Sequence, residues 1–374
     1  MKNEKKGLAV IYDPHNLYQF IWYYCNAGRD MVWDALCLPN DKKGEYMHTY
    51  CEKSELFDKI YKYDDGFKSA DLKEKYGIFF KMLVHFIIGK KKAYCRKLIQ
   101  QYVNWDNYER VVVLTGVGLV SGACIALSGE KDIVIMEDGT ADYRNRRKWI
   151  SWRNMNSFYH WQGFILARMG YCCPAWYYFK PEKSCIKYST RPDRMNQDLY
   201  KEIRQLYSCE GTDTNLLERT ITKTYPRIAD LSFEKIQAVF LTIPLSDFVI
   251  DVEHYRKRIQ NYLKGKYDAI LLKRHPRDTM EYDFGENTVV YEVDSSIPAE
   301  AVMPYLKHMD VYMCEFCSTV MYAKPYGLHC IVLVLDGYYE ESLKSSVEVK
   351  APSEEEVKVY VTEFGGTDCE IRKI

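Results

Sequence analysis

Two acidic residues follow an apolar stretch that is typical of a buried strand. Glu137 and Asp138 come directly after "DIVIM", and Gly139 then allows a turn. A carboxylate held at a strand end can take a proton from a hydroxyl group, which is the task of a general base. The alternative interpretation is an ordinary acidic turn, because Asp-Gly is a common turn pair.

A histidine and a proline end a second apolar stretch, "YDAILL". His275 and Pro276 lie among three cations, Lys273, Arg274 and Arg277. Proline biases the residue before it toward extended backbone, which places the imidazole at the strand end. Neighbouring cations keep a histidine neutral unless an anion is also bound, so the pattern indicates an anionic ligand, most simply a phosphate. The alternative interpretation is a solvated histidine in a basic loop.

Two hydroxyl residues, Ser318 and Thr319, follow a third predicted strand, "DVYMCEF", and begin a predicted helix. Hydroxyls and free N–H groups at a helix N-terminus form a small anion site, supported by the helix dipole. The alternative interpretation is an N-cap without a ligand.

The elements that must position these residues alternate between strand and helix. A helix is predicted from about Leu17, and others over "DVEHYRKRIQNYL", over "PAEAVMPYLKH" and from Ser318. Buried strands joined by crossovers predict an α/β fold with parallel sheets and helices on both faces. The strands are predicted at "GLAVIY", "RVVVL", "DIVIM", "QAVFLTIPL", "YDAILL", "TVVYEV", "DVYMCEF" and "LHCIVLVL".

The chain of 374 residues is long for one hydrophobic core, so we predict two domains. The first covers residues 1–190, a linker covers 191–230, and the second covers 231–374. In open α/β sheets, ligands bind beyond the carboxyl ends of the strands, which is where all three polar groups lie. We therefore predict two Rossmann-like domains that face each other across a cleft.

Composition excludes several classes of function. The 52 Lys and Arg residues balance 52 Asp and Glu residues, so no global charge attracts nucleic acid. The longest apolar run, "GIFFKMLVHFIIG", is too short to span a bilayer, and the N-terminus lacks a signal-peptide core. We therefore expect a cytoplasmic protein. The thirteen cysteines have no framework spacing, and the pair Cys314 and Cys317 has no partner ligands for zinc, so we expect reduced thiols.

The three groups, in this order and at strand ends, resemble the motifs of the bacterial sialyltransferases. These read "EDG" at residues 137–139, "HP" at 275–276 and "ST" at 318–319. The closest resemblance is to the family of lipooligosaccharide sialyltransferases and capsular polysialyltransferases. It implies a two-domain GT-B fold and transfer of sialic acid from CMP-sialic acid to a hydroxyl of a cell-surface glycan, with inversion at the anomeric carbon. The acceptor, a lipooligosaccharide, capsule or exopolysaccharide chain, is either free or lipid-linked.

The resemblance also implies a role for each motif. Glu137 or Asp138 is the general base, and we favour Glu137 because it ends the strand. His275, placed by Pro276, hydrogen-bonds or protonates the departing CMP phosphate. The hydroxyls of residues 318–319 hold the same phosphate. No cofactor is implied, and no metal is expected, because the sequence has no DxD motif to hold one.

Two basic segments suggest partners. Arg144, Arg147 and Trp149 follow the acid pair and suit an anionic or glycan acceptor, although a solvated basic helix face explains them equally well. The lysines between Lys90 and Lys97 suit peripheral contact with an anionic inner-membrane surface, or else the basic end of a core helix. The sequence leaves open whether the protein is a homodimer.

Four alternative functions remain at this stage. In the first, the donor is another CMP-activated nonulosonate or Kdo. In the second, the donor is a UDP- or GDP-sugar held by the glycine loop at Gly116 and Gly118. A third alternative is a non-catalytic glycan-binding protein, in which replacing His275 leaves ligand binding intact. The last is a redox or metal protein built on Cys314 and Cys317.

Overall fold

The computed structural model divides the chain into two units, Met1–Thr224 and Tyr225–Ile374. It describes the following residues: 5–37, 44–63, 72–114, 119–137, 169, 185–195, 197, 200–207, 212–247, 251–315, 317–334, 355, 358–359, 361–362 and 369–374.

The first unit contains a seven-stranded sheet in the order β3-β2-β1-β4-β5-β6-β7, and every pair of neighbours is parallel. Its central strands are continuous apolar runs because both faces of the sheet are covered. The strands are β1 Lys6–Ile11, β2 Val32–Cys37, β3 Phe57–Lys62, β4 Arg110–Val113, β5 Asp132–Ile135, β6 Ile186–Ser189 and β7 Glu202–Gln205.

Helices connect these strands. The first begins at Pro14, where the Asp13 carboxylate accepts a hydrogen bond from the Asn16 backbone N–H at 2.8 Å and proline supplies a suitable first residue. At Gly7 in β1, an added Cβ would lie 2.4 Å from the Trp33 ring, so close strand packing requires glycine. The described helices are α1 Pro14–Tyr23, continued by a π-helical turn Tyr24–Gly28, α2 Gly44–Ser54, α3 Leu72–Ile87, α4 Lys91–Gln100, α5 Leu119–Ala126 and α6 Thr214–Thr224, with 3₁₀ turns Trp105–Asn107 and Pro192–Arg194.

The second unit repeats this design with six parallel strands in the order β10-β9-β8-β11-β12-β13. The strands are β8 Ala238–Leu241, β9 Ala269–Lys273, β10 Val289–Val293, β11 Asp310–Cys314, β12 His329–Val334 and β13 Cys369–Lys373. The described helices are α7 Pro226–Ala229, α8 Val252–Leu263 and α9 Ala323–Tyr326, and the 3₁₀ turns are Phe233–Lys235, Leu245–Asp247, Ala299–Ala301, Met303–Tyr305 and Ser318–Tyr322.

The predicted α/β class with two Rossmann-like units is confirmed by these two sheets. In each of them the strand order reverses once, between β1 and β4 in the first unit and between β8 and β11 in the second. Such a reversal opens a crevice at the carboxyl ends of the strands, where ligands bind.

Two predicted helices differ in the structure. The segment "PAEAVMPYLKH" forms two separate 3₁₀ turns, because Pro304 lacks an N–H group and disfavours helical backbone at the residue before it. The helix predicted from Ser318 is a five-residue 3₁₀ turn followed by the four-residue α9, which Gly327 ends in a left-handed conformation.

The segment predicted as a linker, residues 191–230, also differs. It carries β7 and α6, both within the first unit, and the boundary between the units falls after Thr224. Strand β7 lies at the sheet edge with mostly exposed side chains, so its sequence has the polar composition of a loop. Among the residues described, no helix combines the length and apolar character needed to cross a membrane.

Candidate functional site

Glu137 lies two residues beyond the end of β5, at the carboxyl edge of the first sheet, and its side chain is fully buried. Thr190 holds it from the end of the neighbouring strand β6. The Thr190 backbone N–H donates to one carboxylate oxygen at 2.6 Å, and the Thr190 hydroxyl donates to the other at 2.7 Å. The Ser189 hydroxyl lies 3.4 Å from the first oxygen. Hydrogen bonds of this kind offset the cost of burying a carboxylate.

The backbone beside Glu137 is fixed by two further buried side chains. The Gln19 amide donates to the Glu137 carbonyl oxygen at 2.9 Å, and the Lys187 ammonium donates to the Met136 carbonyl oxygen at 2.8 Å. Both side chains lie almost entirely out of solvent. Elements α1, β5 and β6 therefore converge on this short segment and hold it rigidly.

This geometry bears on which acid is the base. In the structure the Glu137 carboxylate serves as an acceptor for Thr190, so a substrate hydroxyl must share or displace those hydrogen bonds to reach it. Asp138, the other candidate, and Gly139 lie outside the described residues. The preference for Glu137 therefore stays a prediction.

His275 lies two residues beyond the end of β9, at the carboxyl edge of the second sheet. Its backbone N–H donates to the Thr242 hydroxyl at 2.9 Å, from the end of the adjacent strand β8. Its ring Nδ1 accepts a hydrogen bond from the Arg277 backbone N–H at 3.2 Å. We therefore assign the proton of the neutral imidazole to Nε2, so a hydrogen bond donated by the ring comes from that nitrogen.

The cations around His275 have different surroundings. Lys273 is buried, donates to the Arg274 carbonyl oxygen at 2.6 Å, and has its pKa lowered by burial to about 8. Arg274 is paired with Glu292 and lies over the Tyr282 ring. Both side chains are thus held by the protein. Of the three cations, only Arg277 is exposed at the surface of the turn.

Ser318 and Thr319 follow β11 at the same edge of the second sheet. Ser318 is exposed and Thr319 is largely buried. Because β8 separates β9 from β11 and neighbouring strands lie about 4.8 Å apart, the ends of β9 and β11 are about 10 Å apart. The fold therefore brings the His-Pro and Ser-Thr motifs to the two sides of the strand-order reversal. The short turn supplies hydroxyls and N–H groups, but not the dipole of a long helix.

The two thiols of the CxxC sequence, Cys314 and Cys317, are buried, and burial raises the pKa of both. Such thiols are poor nucleophiles and poor ligands. Among the described residues, no three His, Cys, Asp or Glu side chains are grouped as metal ligands would be.

The predicted acceptor residues Arg144, Arg147 and Trp149 lie outside the described part of the chain, as do Gly116 and Gly118. The partners Thr190, Lys187 and Thr242 were missed by sequence reasoning. One signal was available for the first of them, because "KYST" ends a strand with two hydroxyls, as residues 318–319 do. Nothing local marks Lys187 as buried.

Comparison with known proteins agrees with the sequence resemblance. The family model described as Alpha-2,8-polysialyltransferase (POLYST) matches residues 88–336, which include all three motifs. No curated protein matches the chain.

Solved structures with a similar fold have low identity. The glycotransferase of kitacinnamycin has 11% identity and a TM-score of 0.48, covering 98% of this chain and 86% of that one. Arabidopsis thaliana UGT89C1 complexed with UDP-L-rhamnose has 10% identity and a TM-score of 0.47, covering 90% and 81%. MurG of Acinetobacter baumannii has 10% identity and a TM-score of 0.42, covering 98% and 86%. The family match covers about two thirds of the sequence, so the chain belongs to the alpha-2,8-polysialyltransferase family and is a glycosyltransferase that takes a nucleotide-sugar donor and a glycan acceptor.

Proposed function

We propose that this protein transfers sialic acid from CMP-sialic acid to a hydroxyl of a glycan acceptor, with inversion at the anomeric carbon. The observation that carries the proposal is the family match over residues 88–336, because it includes the acid pair, the His-Pro motif and the Ser-Thr motif. Glu137 follows β5 at the carboxyl edge of the first sheet, and the His-Pro and Ser-Thr motifs follow β9 and β11 at the carboxyl edge of the second.

The chemistry divides between the two units. In the first, Glu137 or Asp138 takes the proton of the acceptor hydroxyl as its oxygen bonds to the anomeric carbon. Arg144, Arg147 and Trp149 bind the acceptor. The bond between the anomeric carbon and the phosphate oxygen breaks in the same step, and CMP leaves.

In the second unit, His275 donates from Nε2 to the leaving phosphate, and the hydroxyls of Ser318 and Thr319 donate to it as well. Preorganised donors aimed at a developing negative charge contribute about 3–4 kcal/mol each to transition-state stability. These donors stabilise the phosphate in our proposal, so the transfer needs no metal ion. Pro276 keeps the backbone of His275 extended.

The proposal is tested by measuring CMP release from CMP-sialic acid by the purified protein, with an oligosialic acid acceptor and EDTA. We expect CMP release together with elongation of the acceptor. CMP-Kdo, CMP-activated legionaminic acid and UDP-N-acetylglucosamine are tested in parallel. Turnover of one of these alone would replace sialic acid as the donor. Acceptor binding without CMP release from any donor would instead favour a non-catalytic glycan-binding protein.

We also propose that the protein contacts an anionic membrane surface through the C-terminal part of α3. One face of this helix packs on the core through Met82 and Leu83. The other leaves large apolar side chains in solvent, with Phe80 65% and Ile87 71% exposed. Three lysines at residues 90–92 follow directly. Exposed apolar side chains beside lysines fit the interface of an anionic bilayer, and we place this contact at the cytoplasmic face.

A vesicle test checks this contact. We expect the protein to sediment with phosphatidylglycerol-containing vesicles and to be released by salt. The double change Phe80→Glu and Ile87→Glu should weaken binding by about 10-fold or more, since it removes apolar burial and adds repulsion. Val289→Glu is the matched control, because Val289 is an exposed apolar residue of the other unit. Equal binding to neutral vesicles, or equal loss of binding in the control variant, contradicts the proposal.

Light scattering of the purified protein without vesicles tests whether the protein is a homodimer.

A further inference from the structure

A second concave site lies at the opposite edge of the first sheet from Glu137. It is a cavity of about 620 Å³, open to solvent, at the amino ends of β4 to β7. Asp132 begins β5 and lines this cavity, whereas Glu137 follows the other end of β5. Five residues of extended chain span about 17 Å. The cavity is therefore separate from the proposed catalytic edge.

The described residues that line the cavity carry an excess of positive charge. Two of its arginines are paired: Arg110 Nε donates to Asp132 at 2.7 Å, and Arg204 donates to both carboxylate oxygens of Glu202 at 2.8 Å. The described lining also contains Lys131 and Lys201, so it carries four cations against two carboxylates, a net charge of +2. Lys201 forms no salt bridge among the described residues, and it adds to the hydrogen bond from Arg204 in lowering the pKa of the Glu202 carboxyl.

The arginines of the cavity are held in fixed positions. Arg110 also donates to the Tyr23 hydroxyl and Arg204 to the Tyr188 hydroxyl, each at 3.3 Å. The two tyrosine rings meet edge to face, with centroids 5.5 Å apart. Side chains fixed in this way lose little conformational freedom when a ligand binds. The lysines can then move to meet an anion while the rest of the wall stays in place.

The size of the cavity limits the ligand. Pockets for small organic molecules have volumes of about 300–1,000 Å³, and the cavity volume lies within this range. A free inorganic anion would fill only a small part of it. Guanidinium groups and lysines select carboxylates and phosphates.

We propose that this cavity is a second binding site, for an organic anion of about one or two sugar rings that carries a carboxylate or a phosphate. Binding at this cavity is independent of the donor that the catalytic site uses.

Calorimetric titration of the full chain tests the site. The probes are N-acetylneuraminic acid for the carboxylate, glucose 1-phosphate for the phosphate, galactose as the neutral sugar and inorganic phosphate as the free ion. We expect one or both of the anionic sugars to bind. The double change Lys131→Glu and Lys201→Glu should weaken that binding by about 10-fold or more.

Two controls keep the result specific. Lys59→Glu with Lys62→Glu makes the same charge change on the exposed strand β3, at the far edge of the sheet, and should bind as the wild type does. His275→Ala should also bind these probes, which separates this site from a failure of the proposed transfer chemistry. Thermal midpoints verify that every variant is folded.

Several results would overturn the inference. These are no binding of either anionic sugar below roughly 10 mM, equal binding of galactose, equal binding by the Lys131 and Lys201 variant, or inorganic phosphate binding as tightly as glucose 1-phosphate. If only one of the two anionic sugars binds, its acidic group identifies the ligand class.

Discussion

Replacing His275 with alanine should lower the rate of CMP-sialic acid turnover by about 10²–10³-fold, the effect of removing one preorganised donor to a developing negative charge. When the ring is neutral its proton is on Nε2, because Nδ1 accepts from the Arg277 N–H. Loss of this hydrogen-bond donor should reduce kcat and leave the binding of the glycan acceptor unchanged. The measurement is the initial rate of CMP release with EDTA present.

The control for this variant is His254→Ala. His254 is an exposed histidine in α8 of the same unit, so its removal changes the same residue type away from the sheet edge. It should keep the wild-type rate. If His275→Ala also releases CMP at the wild-type rate, the role proposed for the His-Pro motif is wrong.

Replacing Glu137 with glutamine should lower turnover by about 10²–10⁴-fold if this side chain is the general base. The fold should survive this change. Glutamine has the same shape, its Oε1 can accept from the Thr190 N–H, and the Thr190 hydroxyl can turn to accept from the amide NH₂. Activity lost at an unchanged thermal midpoint therefore reports on the base rather than on stability.

Asp138→Asn distinguishes the two candidate bases. If Glu137→Gln retains turnover and Asp138→Asn loses it, the base is Asp138 and Glu137 only holds the sheet edge.

Thr190→Val shows how much the hydrogen bond from the Thr190 hydroxyl to the Glu137 carboxylate stabilises the fold. Its removal should cost about 1.5–3 kcal/mol of unfolding free energy, the typical value of a hydrogen bond to a charged group. The unfolding midpoints in urea measure this loss.

Strands with continuous apolar sequences were predictable. Strands such as β1, β4 and β9 are buried on both faces, so their sequences alone indicate parallel strands in an α/β sheet. Strand β7 was not predictable, because an edge strand exposes polar side chains and reads as a loop. Strand β6 was not predictable either, because it contains the buried Lys187 and lysine is rarely found buried.

The candidate site was predictable in position but not in detail. Parallel strands bring their carboxyl ends to one edge, so residues that end apolar runs identify that edge from sequence. The hydrogen-bond partners of the Glu137 carboxylate lie at the end of β6, about 50 residues further along the chain. Only the pairing of β5 with β6 brings Thr190 to the carboxylate. No local pattern encodes that contact, which arises from tertiary structure.

The strand order of the first sheet has a consequence for synthesis of the protein. Strand β1 pairs with β2 on one side and with β4 on the other, and β4 begins at Arg110. At about 5–20 residues per second, a ribosome needs roughly 5–20 s after β1 to deliver that partner. During this time one edge of the buried strand β1 stays unpaired. Non-local pairing of this kind folds slowly and exposes aggregation-prone segments, so we expect the nascent chain to depend on chaperones more than the finished enzyme does.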